Sequence, residues 1–218
     1  MTDGINHQRL YEYRFRTVDQ TARQEVWNEI AGYVYGAMGR PQKVLDPAAG
    51  RCEFINAIPA AERWIVDAVD YAEAYRDDGI RAVIGDVLQV ELPSGYFDGV
   101  FVSNFLEHLA SQDDVARFLG RMRESMAPKG RIAVLGPNFK YCAQEYFDVA
   151  DHTVILTHVS VCEHLYAAGF EIKRTIPRFL PFSFRGVLPP SPLLTRLYLR
   201  FPAAWRLLGR QFLVIAQR

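Results

Sequence analysis

The sequence predicts an α/β domain, a doubly wound and mainly parallel sheet of seven strands with helices on both faces. Three observations carry that prediction. Short apolar runs of strand length alternate with segments whose apolar residues repeat at helical spacing. The run at residues 97–105 is apolar almost throughout, which suits a strand covered on both faces. Three runs end in carboxylates, at Asp46, Asp70 and Asp86, and so gather acids along one edge of the sheet.

The elements follow in order. Residues 18–38 read as a helix with Val26, Ile30, Tyr33, Val34 and Ala37 on one face, ended by Gly39 and Pro41. The aromatic and basic stretch before it, residues 11–16, either lids the cleft or packs beside it. Residues 43–46 form the first strand, 47–50 a turn, and a helix opening near Arg51 shows Phe54, Ile55 and Ile58. A second strand at 64–71 leads through a short connection to a third at 82–86. The fourth, at 97–105, delivers Asn104 to His108 onto the crevice rim. Residues 113–127 read as a helix, with Asp113 and Asp114 suited to its positive end. A turn at 127–130 precedes the fifth strand at 131–135.

Residues 136–157 form a long stretch rich in polar and aromatic side chains, and loops of that length in compact domains tend to be functional. A helix at 158–168, stopped by Gly169, precedes strands at 170–180 and 211–217. Between those strands lies a proline-rich insertion, 181–209, with apolar-basic pieces at 193–201 and 203–208. The whole is one domain, 1–218: an N-terminal lid and helix (1–40), a cofactor-binding half (41–140) and an acceptor-side half (141–218).

Length and composition bound the function. The chain has 218 residues, enough for one sizeable core, with 25 basic and 25 acidic residues. Zero net charge lends nucleic-acid binding no general support. The balance is uneven, however, with nine basic residues and one acidic over residues 171–218. Such asymmetry marks either an anionic partner or a solvated basic edge. No apolar run reaches transmembrane length, and residues 1–8 lack a signal peptide's apolar core, so a cytoplasmic protein is expected. Cys52, Cys142 and Cys162 form no CxxC pair and read as reduced thiols.

In an open α/β sheet the ligand crevice lies outside the carboxyl ends of the strands. A dinucleotide there needs several glycines, so that backbone N–H groups can close on the diphosphate. The turn after the first strand keeps only Gly50, has Ala48 and Cys52 where further glycines would help, and adds Asp46, which repels phosphate. A cationic, phosphate-free nucleoside fits better, and S-adenosylmethionine, with its ammonium and sulfonium, is one. Asp70 stands 24 positions after Asp46 and, nearer the end of its strand than Asp67, is the better acceptor for ribose hydroxyls. Asp86 can accept from an exocyclic amine. All three acids have a structural reading too, as caps of the turn or helix that follows.

Five motifs then fall in order. They are Val44-Leu45-Asp46-Pro47-Ala48-Ala49-Gly50-Arg51-Cys52, Asp70, Gly85-Asp86-Val87, the strand from Phe97-Asp98 to Asn104 with Leu106-Glu107-His108-Leu109, and Pro128-Lys129-Gly130-Arg131. Over residues 40–140 this pattern resembles the class I S-adenosylmethionine-dependent methyltransferases. The resemblance implies their Rossmann-like fold, S-adenosylmethionine as cofactor and S-adenosylhomocysteine as product. It also implies cofactor contacts at Asp46, Ala48, Gly50, Asp70, Tyr71, Asp86, Val87, Asn104 and Phe105. The family usually has glycine where Ala48 and Cys52 stand, so backbone contacts to the cofactor differ there. Beyond residue 140, Tyr146-Phe147-Asp148, Asp151-His152 and Leu156-Thr157-His158 are similar to methyltransferases encoded among cell-surface polysaccharide or natural-product genes.

That likeness implies methylation of an oxygen or nitrogen of a small polar acceptor, a sugar or glycan precursor or a secondary metabolite. Tyr13, Arg14, Asn138, Tyr141 and Tyr146 are the acceptor-side candidates, with Tyr11 and Arg16 completing a cluster whose arginines could clamp an anionic group. A base is needed only if the acceptor must lose a proton. His152 comes first, because adjacent Asp151 could orient its ring. His158 reads as a helix-start residue, and His108 as part of the cofactor pocket. No HxxxH spacing occurs, so no metal is expected. The apolar-basic tail suits packing on the sheet, a homodimer contact or a membrane surface. Two rivals stand beside the methyltransferase reading, an NAD(P)-dependent oxidoreductase and a non-catalytic methyltransferase-like binding module.

Overall fold

The computed structural model describes residues 6–16, 18–68, 70–182 and 191–218, without the side chains of residues 7, 8, 11, 70 and 71. Seven strands form one sheet: β1 (Lys43–Asp46), β2 (Glu62–Asp67), β3 (Arg81–Ile84), β4 (Phe97–Ser103), β5 (Met126–Pro137), β6 (Glu171–Leu180) and β7 (Gln211–Gln217). Their order is β3-β2-β1-β4-β5-β7-β6. Strands β1 to β5 pair in parallel, and β7 runs antiparallel to both β5 and β6. The chain leaves β1 toward β2 and β3, then returns to place β4 on β1's other side. That reversal opens a crevice at the carboxyl ends of β1 and β4.

Two helical layers cover the sheet. Helices α2 (Gln20–Ala37), α3 (Glu53–Ala57), α7 (Pro192–Arg200) and α8 (Pro202–Leu208) lie on one face, with α4 (Gln112–Ser125) and α6 (His158–Ala167) on the other. Alternation along the strands feeds both layers: Val44, Ala133 and Leu135 face the first, Leu45, Ile132 and Val134 the second. Short polar side chains start the helices. The Asp19 carboxylate accepts from the Thr21 and Ala22 amides, Ser111 caps α4, and Thr157 with Ser160 forms a capping box at α6. Helix α1 (His7–Phe15) lies ahead of α2, and α5 (Phe139–Cys142) follows β5.

Three expectations are corrected. The second strand stops at Asp67 instead of running to residue 71. Its one outer neighbour, β3, ends with Ile84 opposite Asp67, and the Gly85 amide donates to the Asp67 carbonyl as the last rung. The third strand ends two residues early for the same reason. Gly85 there has φ +152°, and a Cβ would stand 2.6 Å from Val90. Residues 127–130 do not precede the fifth strand but bulge within it. Met126 pairs with Phe97 and Arg131 with Gly99, so the residues between are looped out, with Lys129 at φ +66°.

The insertion at 181–209 contains α7 and α8, and residues 183–190 of it lie outside the described part. Trp205 is buried against Tyr33 and Phe179, ring centroids 5.7 and 5.4 Å away, and its indole N–H donates to the Tyr198 carbonyl. Packing on the domain is therefore present in the tail, while Leu193, Leu197, Phe201 and Leu207 remain exposed. Among the described residues no helix is long and apolar enough to cross a membrane.

Candidate active site

Asp46 is the last residue of β1 and is 3% exposed. The turn behind it carries Gly50 at φ +52° and Cys52 at φ +59°. Cysteine in the left-handed region is uncommon, and this is where the sequence departs from glycine. The turn is fastened by the Gly50 amide, which donates to Asp67 Oδ2 at 2.9 Å, and by the Cys52 amide, which donates to the Ala49 carbonyl at 2.8 Å. Asp67, which the sequence ranked behind Asp70 as a ribose acceptor, closes this turn. Burial pushes the Asp46 carboxyl well above the usual range, a hydrogen bond from the Ala48 amide opposes this, and the charges of Asp67 and Glu53 push it further up. Asp46, Asp67 and Glu53 converge on one turn, with Glu53 paired to Arg23, and an Asp46 carboxyl raised in this way regains its charge most readily beside a cation. The Arg51 guanidinium lies 4.6 Å from the Phe15 ring centroid of α1 and 5.4 Å from that of Tyr75.

The other predicted cofactor residues are placed unequally. Asp70 and Tyr71 open a 3-10 turn (Asp70–Ala74) just past β2, with their side chains outside the described part. Asp86 is exposed and folded onto its own turn: Oδ1 accepts from the Leu88 amide and Oδ2 from the Gln89 side chain, each at 2.9 Å. That is the capping reading. Val87 is buried. Asn104 follows β4 at φ +49°, with its amide bonded to the Leu135 carbonyl and its side chain donating to Ser103 Oγ. Phe105 packs on Phe118 of α4, centroids 5.1 Å apart.

Beyond Asn104 lies a second group, Glu107, His108, Asp151, His152 and Arg14. Glu107 and His108 stand on a 3-10 turn (Leu106–His108) after β4. The Thr153 and Val154 amides donate to the Glu107 carbonyl at 2.9 and 3.1 Å, and this clasp brings residue 152 against residue 107. Asp151 was expected to orient His152. Instead its carboxylate bonds Arg14 and lies 3.3 Å from His108 Nδ1, which also stands 3.0 Å from the Asp151 carbonyl. The two side chains diverge from adjacent positions, so sequence adjacency misassigned the pair.

The charges sort accordingly. Asp151 is pulled below the ordinary carboxylate range by His108 and Arg14 against the effect of burial. Burial would lower His108, but the Asp151 hydrogen bond and the Glu107 and Asp151 charges raise it. His152 falls to about 4, chiefly through burial, and Glu107 rises to about 7 for the same reason. Glu107 Oε1 lies 4.0 Å from Nε2 of both His108 and His152.

The acceptor-side candidates are corrected in part. Tyr146 is fully buried, its hydroxyl donating to the Val154 carbonyl at 2.5 Å and its ring 4.6 Å from His152. It supports His152 and offers no free hydroxyl to a ligand. Tyr13 is 66% exposed with the Arg16 guanidinium 3.6 Å over its ring, and Arg14 is committed to Asp151, so the anion clamp does not form. Asn138 is buried, its side-chain NH2 donating to the Pro177 carbonyl at 2.8 Å and to His158 Nδ1 at 2.9 Å. Tyr141 stacks on His158 with centroids 6.4 Å apart and carries Arg178 on its ring. His158 therefore belongs to an Asn138–Tyr141 group separate from the His152 group.

The fold is thus a doubly wound α/β sheet whose crevice, at the β1–β4 reversal, has acids along its edge. Residues 45–134 match the family model described as a methyltransferase domain. Residues 45–134 are thus similar to methyltransferase domains, and the solved structures that share the fold include S-adenosylmethionine-dependent methyltransferases. No curated protein sequence matches the chain. Among solved structures, a SAM-dependent methyltransferase from Archaeoglobus fulgidus is 19% identical, with 98% of this chain and 100% of that one covered and a TM-score of 0.66. The N-methyltransferase NodS from Bradyrhizobium japonicum is 13% identical over 92% of this chain and 98% of its own, with a TM-score of 0.60. The cyclase SpnF, 13% identical over 88% of this chain and 80% of its own at TM-score 0.61, has the same fold under a different activity. Likeness at these identities concerns the fold.

Proposed function

We propose that the protein transfers the methyl group of S-adenosylmethionine to an oxygen or nitrogen of a small polar acceptor, a sugar precursor or secondary metabolite, in the cytoplasm. The observation that supports the cofactor's place is the buried Asp46 carboxyl at the end of β1, beside a glycine turn fastened to Asp67. The cofactor supplies a methyl already activated on a sulfonium. The chain's work is to bind, align and handle the acceptor's proton. Asp46 and the 48–50 backbone would receive the ammonium end, Asp70 the ribose hydroxyls, and Asn104 the reacting end. Asp86 enters only if its carboxylate swings off the Leu88 amide.

Alignment at near-attack distance supplies about 7–11 kcal/mol at best. The acceptor is assigned to the space beside Glu107, His108 and His152. His152, lowered to about 4 chiefly by burial, is neutral near pH 7 and keeps an acceptor nitrogen, as a weak base, for the acceptor's proton. Helix α1 ties the two halves together, through Phe15 on Arg51 and Arg14 on Asp151, and is assigned the role of lid.

Methyl-labelled cofactor incubated with a panel of hydroxylated and amino acceptors tests this. Label is expected in an acceptor of that class, with His152→Ala lowering turnover more than affinity for S-adenosylhomocysteine and Asp70→Ala weakening that affinity. Label that never leaves the cofactor, in a protein that binds S-adenosylhomocysteine, would favour the non-catalytic module. Unchanged affinity in Asp70→Ala would remove Asp70 from the site.

A further inference from the structure

We infer that Glu107, His108 and His152 hold one divalent transition-metal cation, of the zinc or cobalt(II) kind, at the rim of the crevice. Their ligand atoms all lie within 4.8 Å of one another, and both imidazole Nε2 atoms are 4.0 Å from Glu107 Oε1. Zinc bonds of about 2.0–2.2 Å in a tetrahedral site put ligand atoms roughly 3.4 Å apart, so the two contacts to Glu107 need to close by about 0.6 Å and the widest separation in the group by up to about 1.4 Å. That is a rotamer adjustment. The chain leaves a reason for it: Glu107 is 1% exposed, and its Oε1 has no hydrogen-bond partner among the described residues. A buried carboxylate oxygen aimed at two imidazole nitrogens is costly unless an ion or water satisfies it.

The surroundings are arranged for ligation. His108 turns Nδ1 onto the Asp151 carbonyl and carboxylate, at 3.0 and 3.3 Å, and Nε2 onto Glu107; with the proton on Nδ1 the Nε2 lone pair is the one offered to a cation. A carboxylate behind an imidazole is how metal-bound histidines are oriented. Arg14 in turn holds Asp151. The clasp of Thr153 and Val154 on the Glu107 carbonyl fixes the distance between the two ligand segments. Two imidazoles and a carboxylate suit zinc and its neighbours better than magnesium or calcium, and three protein ligands leave a position open. With the cation bound, His152 acts as a ligand in place of the base assigned above, and an acceptor hydroxyl bound at the open position would give its proton to water near neutral pH, so the inference deepens the methyl-transfer reading by giving the acceptor a metal-binding oxygen.

The test needs no acceptor. Chelator-treated protein is titrated with cobalt(II), followed by visible d–d absorbance, and with zinc by calorimetry. One equivalent per chain is expected, with zinc displacing cobalt. Glu107→Gln and His152→Ala should lose the band, and Asp151→Asn should weaken binding by about 10–100-fold. The surface variant His164→Ala should bind as wild type. S-adenosylhomocysteine binding, measured on each variant, reports the fold and the cofactor site separately. An absent band in the wild type, or a band undiminished in Glu107→Gln, overturns the inference even if methyl transfer stands. Should Glu107→Gln fail to fold, paramagnetically shifted imidazole N–H resonances in the cobalt-loaded wild type decide; their absence also overturns it.

Discussion

Asp46 has the strongest environment of any single residue at the cofactor edge. Its carboxyl is buried, and its pKa is pushed well above the unfolded value of 3.8, first by burial. A group so raised binds its proton more tightly when folded, so stability is fullest below the unfolded pKa and falls as pH rises through the window up to the folded one. The wild type should lose stability from about pH 4 upward, by as much as ~1.4 kcal/mol per unit while that one proton is in play. Asp46→Asn should flatten this part of the profile in chemical denaturation and weaken cofactor binding with little loss of stability. An unchanged slope, or wild-type cofactor affinity, would refute the charge argument.

The thiols divide by the same logic. Burial pushes Cys142 up to about 12 and Cys52 further still, whereas Cys162 is partly exposed. A thiol reagent should therefore modify one cysteine rapidly in the native protein and three after unfolding; a second fast thiol would mean that a buried one is not sealed. At this scale Asp46 and Gly50 were legible as residue types at a strand end. Asp67 was not, because its contact is with a backbone amide across the turn. Asp151 misled, since neighbours outside a helix point their side chains apart.

Among the elements, the tail separates packing from charge. Trp205 of α8 is buried between Tyr33 and Phe179, whereas the Arg196–Glu29 pair joining α7 to α2 is largely exposed on its arginine side. Trp205→Ala should cost about 3–5 kcal/mol. Arg196→Ala should cost far less, because an exposed ion pair is screened by solvent. Comparable losses in urea unfolding would mean that the tail is held by charge. The strand at 211–217 and the start of α6 were readable because an apolar run and a capping residue are local signals. The ends of β2 and β3 were not, because the partner strand's length decides where pairing stops. The looped-out 127–130 stretch reads as a turn from Pro128 and Gly130, and only pairing on both sides makes it a bulge.

For the whole molecule, order and periodicity sufficed to anticipate the sheet, whereas the second half of the site required the fold. Glu107 and His152 meet through the clasp of residues 153 and 154 on a backbone carbonyl, which leaves no spacing pattern behind. Helix α1 then touches both the cofactor turn and the histidine group. A ligand bound between these parts should stabilise them together, by about 2.7 kcal/mol at a hundredfold excess over its dissociation constant. The most direct measurement is a calorimetric titration of the wild-type protein with S-adenosylmethionine and, in parallel, NADH. Saturable binding of the sulfonium cofactor, with no heat from the dinucleotide, is the result the acid-lined crevice predicts; tighter binding of NADH, or no binding of S-adenosylmethionine, would contradict it.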